Sequence, residues 1–375
     1  MLTKVEISRD SIKHNLEQFR RIISPDFFLL GVVKSNAYGH GMAEVASIIQ
    51  EKVDYLAVAS IEEALKLRAR LIKKPILVLG NYDRADADQL IKVAAQNIEI
   101  AVNEISLLKI LNDLGSKYQQ IFKIHLKIDT GMSRFGVRME DAAEFIKSAQ
   151  KSKFLMVQGL YSHLASGDSD ADYTRLQIEN FAKLVTWLET EKIKIPYLHL
   201  GNTPGALFGG LPGNSLRLGL GLYGFYPSLW SRDLIGKRCS DFSLKPALEW
   251  KTKIVQVKDV PANVGVSYNC TFVTPRPMRL AVIPVGYWDG LDRGLSNIGE
   301  VLVRGQRLPI VGRVCMNQTV VDASKALDAV VGDEVVLIGR SGGEQITAEE
   351  MAAKIDSINY EIVTRINPLI PRVLV

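Results

Sequence analysis

Charged and polar side chains that emerge from the ends of apolar runs are the residues here best suited to chemistry. Lys34 directly follows the run 27–33, in Gly-Val-Val-Lys-Ser-Asn-Ala-Tyr-Gly-His-Gly. A lysine drawn out of water loses basicity, and a neutral amine is what a Schiff base with a carbonyl compound needs. The ordinary alternative is a strand-end lysine whose stem lies on apolar surface while its ammonium reaches solvent. The small residues and glycines beside Lys34 favour the first reading, because they let backbone approach a bulky ligand closely. The placement recurs along the chain. Lys127 and Asp129 end the run 122–128, with Arg134 just beyond; His163 ends 155–161; Asn202 and Thr203 end 197–200; Arg217 lies in 216–223. Charges leaving apolar runs are costly unless they have partners or a task.

The elements that must position these residues are legible as alternation. Residues 27–33, 55–59, 75–80, 98–102, 122–128, 155–161, 197–200 and 216–223 read as strands, with helical windows between them. In the first window Ile12, Leu16, Phe19 and Ile23 recur at helical spacing, and in another Ser60 and Glu63 form a capping box. Strands alternating with helices imply a parallel sheet, and eight such units suggest a (β/α)8 TIM-type barrel; an open doubly wound sheet would alternate similarly. On such a barrel, active sites lie at the C-terminal ends of the strands, where these polar residues fall. Beyond Tyr226-Pro227 the pattern changes to β-rich runs at 250–257, 280–285, 300–303, 319–321 and 334–338, with one helix at 348–356. The expected organisation is an α/β barrel over 1–240 and a C-terminal, mostly β domain over 241–375. Residues 1–8, which alternate like a strand, are a candidate partner for that second domain.

Length and composition narrow the function. The chain has 375 residues, 47% of them hydrophobic and 23% charged, which suits two globular domains with ample core. A net charge of +5, with signs interleaved, shows no basic arm and points away from nucleic acid. The start lacks the apolar core of a signal peptide, and no run approaches the length of a membrane span. Cys239, Cys270 and Cys315 form no close pair, and the histidines show no H-E-x-x-H spacing, so neither a disulfide framework nor a metal site is expected. A reducing, cytoplasmic setting follows from that cysteine usage. Gly219-Leu-Gly-Leu-Tyr-Gly224 formally fits a dinucleotide fingerprint, but it closes the βα series and Phe-Tyr-Pro-Ser follows it. The amides of Gly219 and Leu220 are better suited to holding a single phosphate.

Taken together, these motifs resemble the alanine racemase family, pyridoxal-phosphate proteins of fold type III. The resemblance runs through Val-Val-Lys-Ser-Asn-Ala-Tyr-Gly-His-Gly, Leu-Lys-Ile-Asp-Thr-Gly-Met-Ser-Arg-Phe-Gly and Ser-Leu-Arg-Leu-Gly, then Val-Ser-Tyr, Val-Gly-Tyr-Trp-Asp-Gly and Gly-Arg-Val-Cys-Met. It implies racemisation of alanine by two bases, in a homodimer that builds each site from one barrel and the other subunit's β domain. Lys34 would be the Schiff-base lysine and one base, and Tyr268 the other. Tyr38, Thr203, Gly219 and Leu220 would hold the phosphate, with His163 and Asn202 also beside the cofactor. Arg217 would face the pyridine nitrogen, and His163 would bridge Arg217 to the catalytic tyrosine. An arginine there keeps its own proton, so the ring is a restrained electron sink and reprotonation at Cα is favoured over side reactions. Arg134 and the Met316 amide would orient the substrate. Lys127 matches a lysine that is often carbamylated; an ion pair with Asp129 is the alternative. Asp168, Tyr287, Arg293 and Arg313 match residues lining the approach to the site, and each also fits a solvated surface group.

Two positions depart from the family pattern. Asn317 stands where aspartate is usual, and Pro368 replaces a tyrosine that contacts the phosphate and narrows the inner gate. Loss of that ring implies looser cofactor retention and a wider pocket, so a broader racemase that accepts serine is the alternative to a strict alanine enzyme. A non-catalytic cofactor-binding paralogue and a decarboxylase of the same fold type are further alternatives. The β domain with Val-Ser-Tyr weighs against the first, and Gly-Met-Ser-Arg against the second. By the same resemblance the product, D-alanine, would feed peptidoglycan.

Overall fold

A computed structural model describes residues 1–375, which divide into two compact units. The larger comprises Ser11–Ser35 and Val45–Lys245. Its eight strands are β1 (Phe28–Val32), β2 (Tyr55–Val58), β3 (Ile76–Val78), β4 (Ile98–Val102), β5 (Phe122–Asp129), β6 (Leu155–Tyr161), β7 (Tyr197–His199) and β8 (Ser215–Leu218). Each pairs in parallel with the one before it from β2 to β7, and β8 lies parallel to β1, with Leu216 opposite Leu29. A parallel bridge between Gly201 and Leu216 joins the end of β7 to β8, so the sheet is a nearly closed barrel. Strands such as β4 are buried at every position, as expected where helices cover one face of a parallel sheet and the barrel core the other.

The helices between the strands begin where side chains satisfy their first amides. Ser60 accepts from the Glu63 amide ahead of Ile61–Ala69, and Asp170 accepts from Asp172 and Tyr173 ahead of Ala171–Thr190. The eighth run departs from its sequence reading. Instead of one strand over 216–223, β8 stops at Leu218, Gly219 turns the chain, and Leu220–Tyr223 forms a short 3-10 helix. An apolar run by itself does not distinguish these two outcomes.

The smaller unit comprises Met1–Asp10, Asn36–Glu44 and Pro246–Val375. Its main sheet holds seven strands, in which Lys4–Ile7 pairs antiparallel with Leu248–Lys253 and parallel with Arg372–Leu374. A three-stranded sheet, with Met278–Ile283 between Gln256–Val260 and Thr319–Asp322, packs Met278 and Leu280 against Val266 and Val311. The run expected over 250–257 is broken into two strands at Ile254 and Val255. The expected helix is Ala348–Lys354, and a second, Asn359–Thr364, follows it; its six residues are too few for a clear helical period. Residues 36–44 belong with this unit through close backbone packing. Arg372 Nε donates to Gly39 O at 2.9 Å, and a Cβ at Gly39 would come within 1.9 Å of Val363 O.

Candidate active site

Lys34 leaves β1 into an unusual turn. Ser35, Asn36, Ala37 and Tyr38 all have φ of +53° or +54°, one turn of left-handed helix without a glycine. Such a backbone costs about 1–2 kcal/mol per residue, so its surroundings must hold it. Glu63 contributes on the barrel side: its carboxylate accepts the Ser35 amide at 2.6 Å and the Ala59 amide at 2.8 Å. Burial, then the Arg134 guanidinium, push the Lys34 amine below the ordinary lysine range; Glu63 opposes this and Arg217 adds to it. The neutral form of Lys34 is thereby favoured over that of an exposed lysine.

Arg217, only 2% exposed, is the hub of the barrel's C-terminal end. Nη1 donates to His199 O at 2.6 Å and to His199 Nδ1 at 2.9 Å. Nη2 lies 2.8 Å from Ser162 O, 3.1 Å from Leu200 O and 3.1 Å from His163 Nδ1. Both Nη groups are therefore committed, and the guanidinium plane is fixed. Burial and then Arg217 hold the His163 imidazole well below its ordinary value, so it stays neutral and accepts from the arginine. His163 Nε2 is 3.4 Å from Asn202 Nδ2.

Lys127 is buried, with its Nζ 5.2 Å from the Phe135 ring centre and 5.5 Å from that of Tyr161. Burial first, then Arg134 and Arg217, lower its pKa to about 8. Asp129 Oδ1 accepts the Gly131 and Met132 amides at 2.9 and 2.8 Å, which shapes the loop carrying Arg134. Asp129, Arg134 and Arg138 line an open cavity of about 630 Å³ in that loop. On the next loop Asn202 caps the helix Thr203–Phe208 by accepting the Gly205 amide, and Thr203 Oγ1 accepts the Gly219 and Gly221 amides at 3.3 and 3.1 Å. The Thr203 hydroxyl proton still remains to donate. Asp168 is half-buried, and burial raises its carboxyl pKa.

In the smaller unit, Tyr38 has its ring centre 6.3 Å from that of Tyr360. Tyr268 stands 70% exposed on a turn in which Ser267, Asn269 and Cys270 all have positive φ. Ser267 Oγ donates to Arg313 O at 2.7 Å and lies 3.2 Å from Cys315 Sγ, so the Arg313–Cys315 segment runs beside this turn. The Trp288 amide donates to Met316 O at 2.9 Å. Tyr287 and Arg293 line a cavity of about 500 Å³ with Arg365, which is paired to Asp292. Pro368 is exposed, beside Asn367, whose Nδ2 donates to Trp288 O at 3.0 Å.

Three buried residues in the barrel escaped the sequence reading: His199, His125 and Glu99. His199 accepts from Arg217, and His125 and Glu99 continue the line behind it. The available signal was the Lys-Ile-His-Leu-Lys-Ile-Asp stretch, where every second residue is polar although the strand is internal.

A parallel barrel whose strands end on a weakly basic lysine and a fixed arginine, in one chain with a β-rich unit, defines a class of lysine-dependent barrel enzymes. Two family profiles match: alanine racemase, N-terminal domain, over residues 7–227, and alanine racemase, C-terminal domain, over 247–374. Alanine racemase 2 of Caldanaerobacter subterraneus subsp. tengcongensis is 40% identical, covering 100% of this chain and 95% of its own length. The alanine racemase of Halothermothrix orenii is 41% identical over 99% of this chain and 96% of its own. Among solved structures, alanine racemase of Clostridium difficile 630 superposes with a TM-score of 0.92 at 33% identity, covering 100% of this chain and 96% of that one. The Bacillus anthracis alanine racemase with bound L-Ala-P gives a TM-score of 0.91 at 35% identity, covering 100% and 95%. This chain belongs to the alanine racemase family, whose members are pyridoxal-phosphate-dependent isomerases.

Proposed function

We propose that this chain interconverts L- and D-alanine with pyridoxal phosphate, as a cytoplasmic homodimer that supplies D-alanine for peptidoglycan. The observation that carries the reading is Lys34, a barrel-end amine whose proton is loosened by burial and by the Arg134 and Arg217 guanidiniums. The donor set also fits the cofactor. Thr203, whose hydroxyl proton remains to donate, and Gly219 lie on the loops after β7 and β8, where barrels of this kind hold phosphate, and Arg217 would present a fixed cation to a ring nitrogen.

Pyridoxal phosphate, when bound, supplies an aldehyde for the Lys34 amine and a ring that draws electrons from Cα, which makes the Cα–H acidic. Lys34 Nζ takes or returns the Cα proton on one face, and the Tyr268 phenol of a second copy does so on the other. Arg217 would face the pyridine nitrogen and would keep its own proton, which would limit charge spread into the ring. Tyr38, Thr203, Gly219 and Leu220 would hold the phosphate, with Asn202 beside them, while His163 would link Arg217 towards Tyr268. Arg134 and the Met316 amide hold the substrate carboxylate. The neutral Lys127 amine would add carbon dioxide at Nζ and release a proton to solvent, giving a carbamate that would anchor Arg134. Asp168, Tyr287, Arg293 and Arg313 line the approach.

The exposure of Tyr268, Trp288 and Met316 (70%, 60% and 56%) supports the dimer, because large apolar groups left together on a surface mark an interface. No helix is long and apolar enough to cross a membrane. The test is chiral chromatography of L-amino acids incubated with the chain and pyridoxal phosphate. Rapid D-alanine formation is expected; no D-product from any amino acid would refute the reading.

A further inference from the structure

Behind Arg217 a single line of hydrogen bonds descends the inside of the barrel. Arg217 Nη1 meets His199 Nδ1 at 2.9 Å, and His199 Nε2 meets His125 Nδ1 at 2.9 Å. His125 Nε2 meets Glu99 Oε2 at 2.7 Å, and the Tyr55 hydroxyl donates to Glu99 Oε1 at 3.1 Å. His199, His125 and Glu99 are all buried. The strand register makes the line a staircase. His199 is level with Tyr161 and Lys127, His125 lies two residues lower on β5, and Glu99 two lower again on β4, since Ala101, two residues beyond Glu99, pairs with His125. Each two-residue step is about 6.6 Å along a strand.

The chemistry of the two ends fixes every proton between them. Arginine has only donors, so His199 Nδ1 must accept and its single proton sits on Nε2. That proton goes to His125 Nδ1, which places the His125 proton on Nε2, pointing at the carboxylate. Burial, and then the adjacent Glu99, raise the Tyr55 pKa, so Tyr55 remains a donor to the same carboxylate. No other neutral arrangement satisfies all four bonds.

The barrel is also shaped around this line. A Cβ at Gly159, opposite His125 on β6, would lie 2.1 Å from His125 Nδ1, so only glycine leaves room for the ring. Tyr161 stacks flat on His199, with centroids 4.9 Å apart and planes within 2°.

We propose that Glu99 is a positioning residue for Arg217: acting through His125 and His199, it holds one tautomer in each ring and so fixes the guanidinium that the ligand meets. The tautomer part stands on the bonds alone, whereas the consequence for the cofactor rests on the function proposed above. Glu99 touches no reacting atom and sits at the far end of the line from the site.

The experiment uses full-length chain labelled with ¹⁵N in the histidine imidazoles, first without cofactor. His125 and His199 should both give the Nε2–H tautomer signal in the native chain. In Glu99→Leu the line loses its terminal acceptor. His125, whose Nε2–H then has no acceptor, should show mixed tautomers, His199 should follow more weakly because Arg217 still donates to it, and pyridoxal phosphate affinity should fall by about tenfold, as for loss of a buried hydrogen-bond partner. Glu99→Gln offers a carbonyl in the same place and should restore both the tautomers and most of the affinity. If Glu99→Leu does not fold, Tyr55→Phe, which removes one donor to Glu99, should shift the His125 signal and then, more weakly, that of His199. Unchanged ¹⁵N signals in the folded variants would overturn the proposal, as would a folded Glu99→Gln that fails to restore them. Absence of cofactor binding by the native chain would instead strike the proposed function, leaving the tautomer result to judge the line separately.

Discussion

The barrel's C-terminal end and the Tyr268 turn of the smaller unit carry their functional groups in opposite ways. In the barrel, Lys34, Lys127 and Arg217 are pressed together with their cationic forms penalised by burial and by one another, or fixed by carbonyls and imidazoles. Around Tyr268 the backbone is twisted through three positive-φ residues, yet the ring stands in the open. One region is held by its own buried partners; the other leaves its tyrosine exposed on a shaped turn. A buried cluster of like charges is useful only if it perturbs a reactive group, and an exposed tyrosine on a strained turn only if another surface closes over it. On the function proposed above, the missing part of the site comes from a second copy.

The comparison is broken most severely by removing one base from each region. Lys34→Ala and Tyr268→Phe should each lower racemisation by about a thousandfold, within the range expected for loss of an acid–base group. Retention of most activity by either would remove that residue from the chemistry.

A smaller effect sharpens the barrel side. An unfolded lysine keeps its proton up to the ordinary value of 10.5, whereas folded Lys127 releases it at about 8. Between those values the unfolded chain binds more protons, so this residue makes stability rise with pH, and its penalty is fully present below about 8. Without dissolved carbon dioxide, Lys127→Met should melt at higher temperature than the native chain near neutral pH, and the gap should close as pH climbs towards 10.5. A gap independent of pH would show that the buried charge is not what separates the two proteins.

The smallest effect lies on the β side. If Pro368 widens the inner gate, the native chain should turn over serine appreciably, and Pro368→Tyr should raise the alanine-to-serine ratio of kcat/KM by a few-fold, the scale of small changes in pocket fit. A sharp alanine preference in the native chain would make Pro368 a tolerated variation.

Much of the fold could be read from the sequence because parallel barrel strands announce themselves as short apolar runs between amphipathic helices. The same feature hid the rest. The apolar run at 216–223 concealed a turn at Gly219, and the internal strand β5 concealed His125 among its apolar neighbours. Ser35, Asn36, Ala37 and Tyr38 give no glycine signal for a left-handed turn, which depends on long-range support such as the Glu63 carboxylate. Lys34, Lys127, His163 and Arg217 stood out because charge at the end of an apolar run is conspicuous. Glu99 did not, because it sits near the start of its strand, where charge is ordinary.

The central claim, that each site takes Lys34 from one copy and Tyr268 from the other, is tested most directly by mixing the two inactive variants. Lys34→Ala and Tyr268→Phe chains, unfolded together and refolded, should form mixed dimers in which one site has lost both bases and the other is intact. With random pairing, about a quarter of native activity should return, as the symmetry of a two-fold dimer requires. No recovery, from a mixture shown to contain mixed dimers, would mean that both bases come from the same chain.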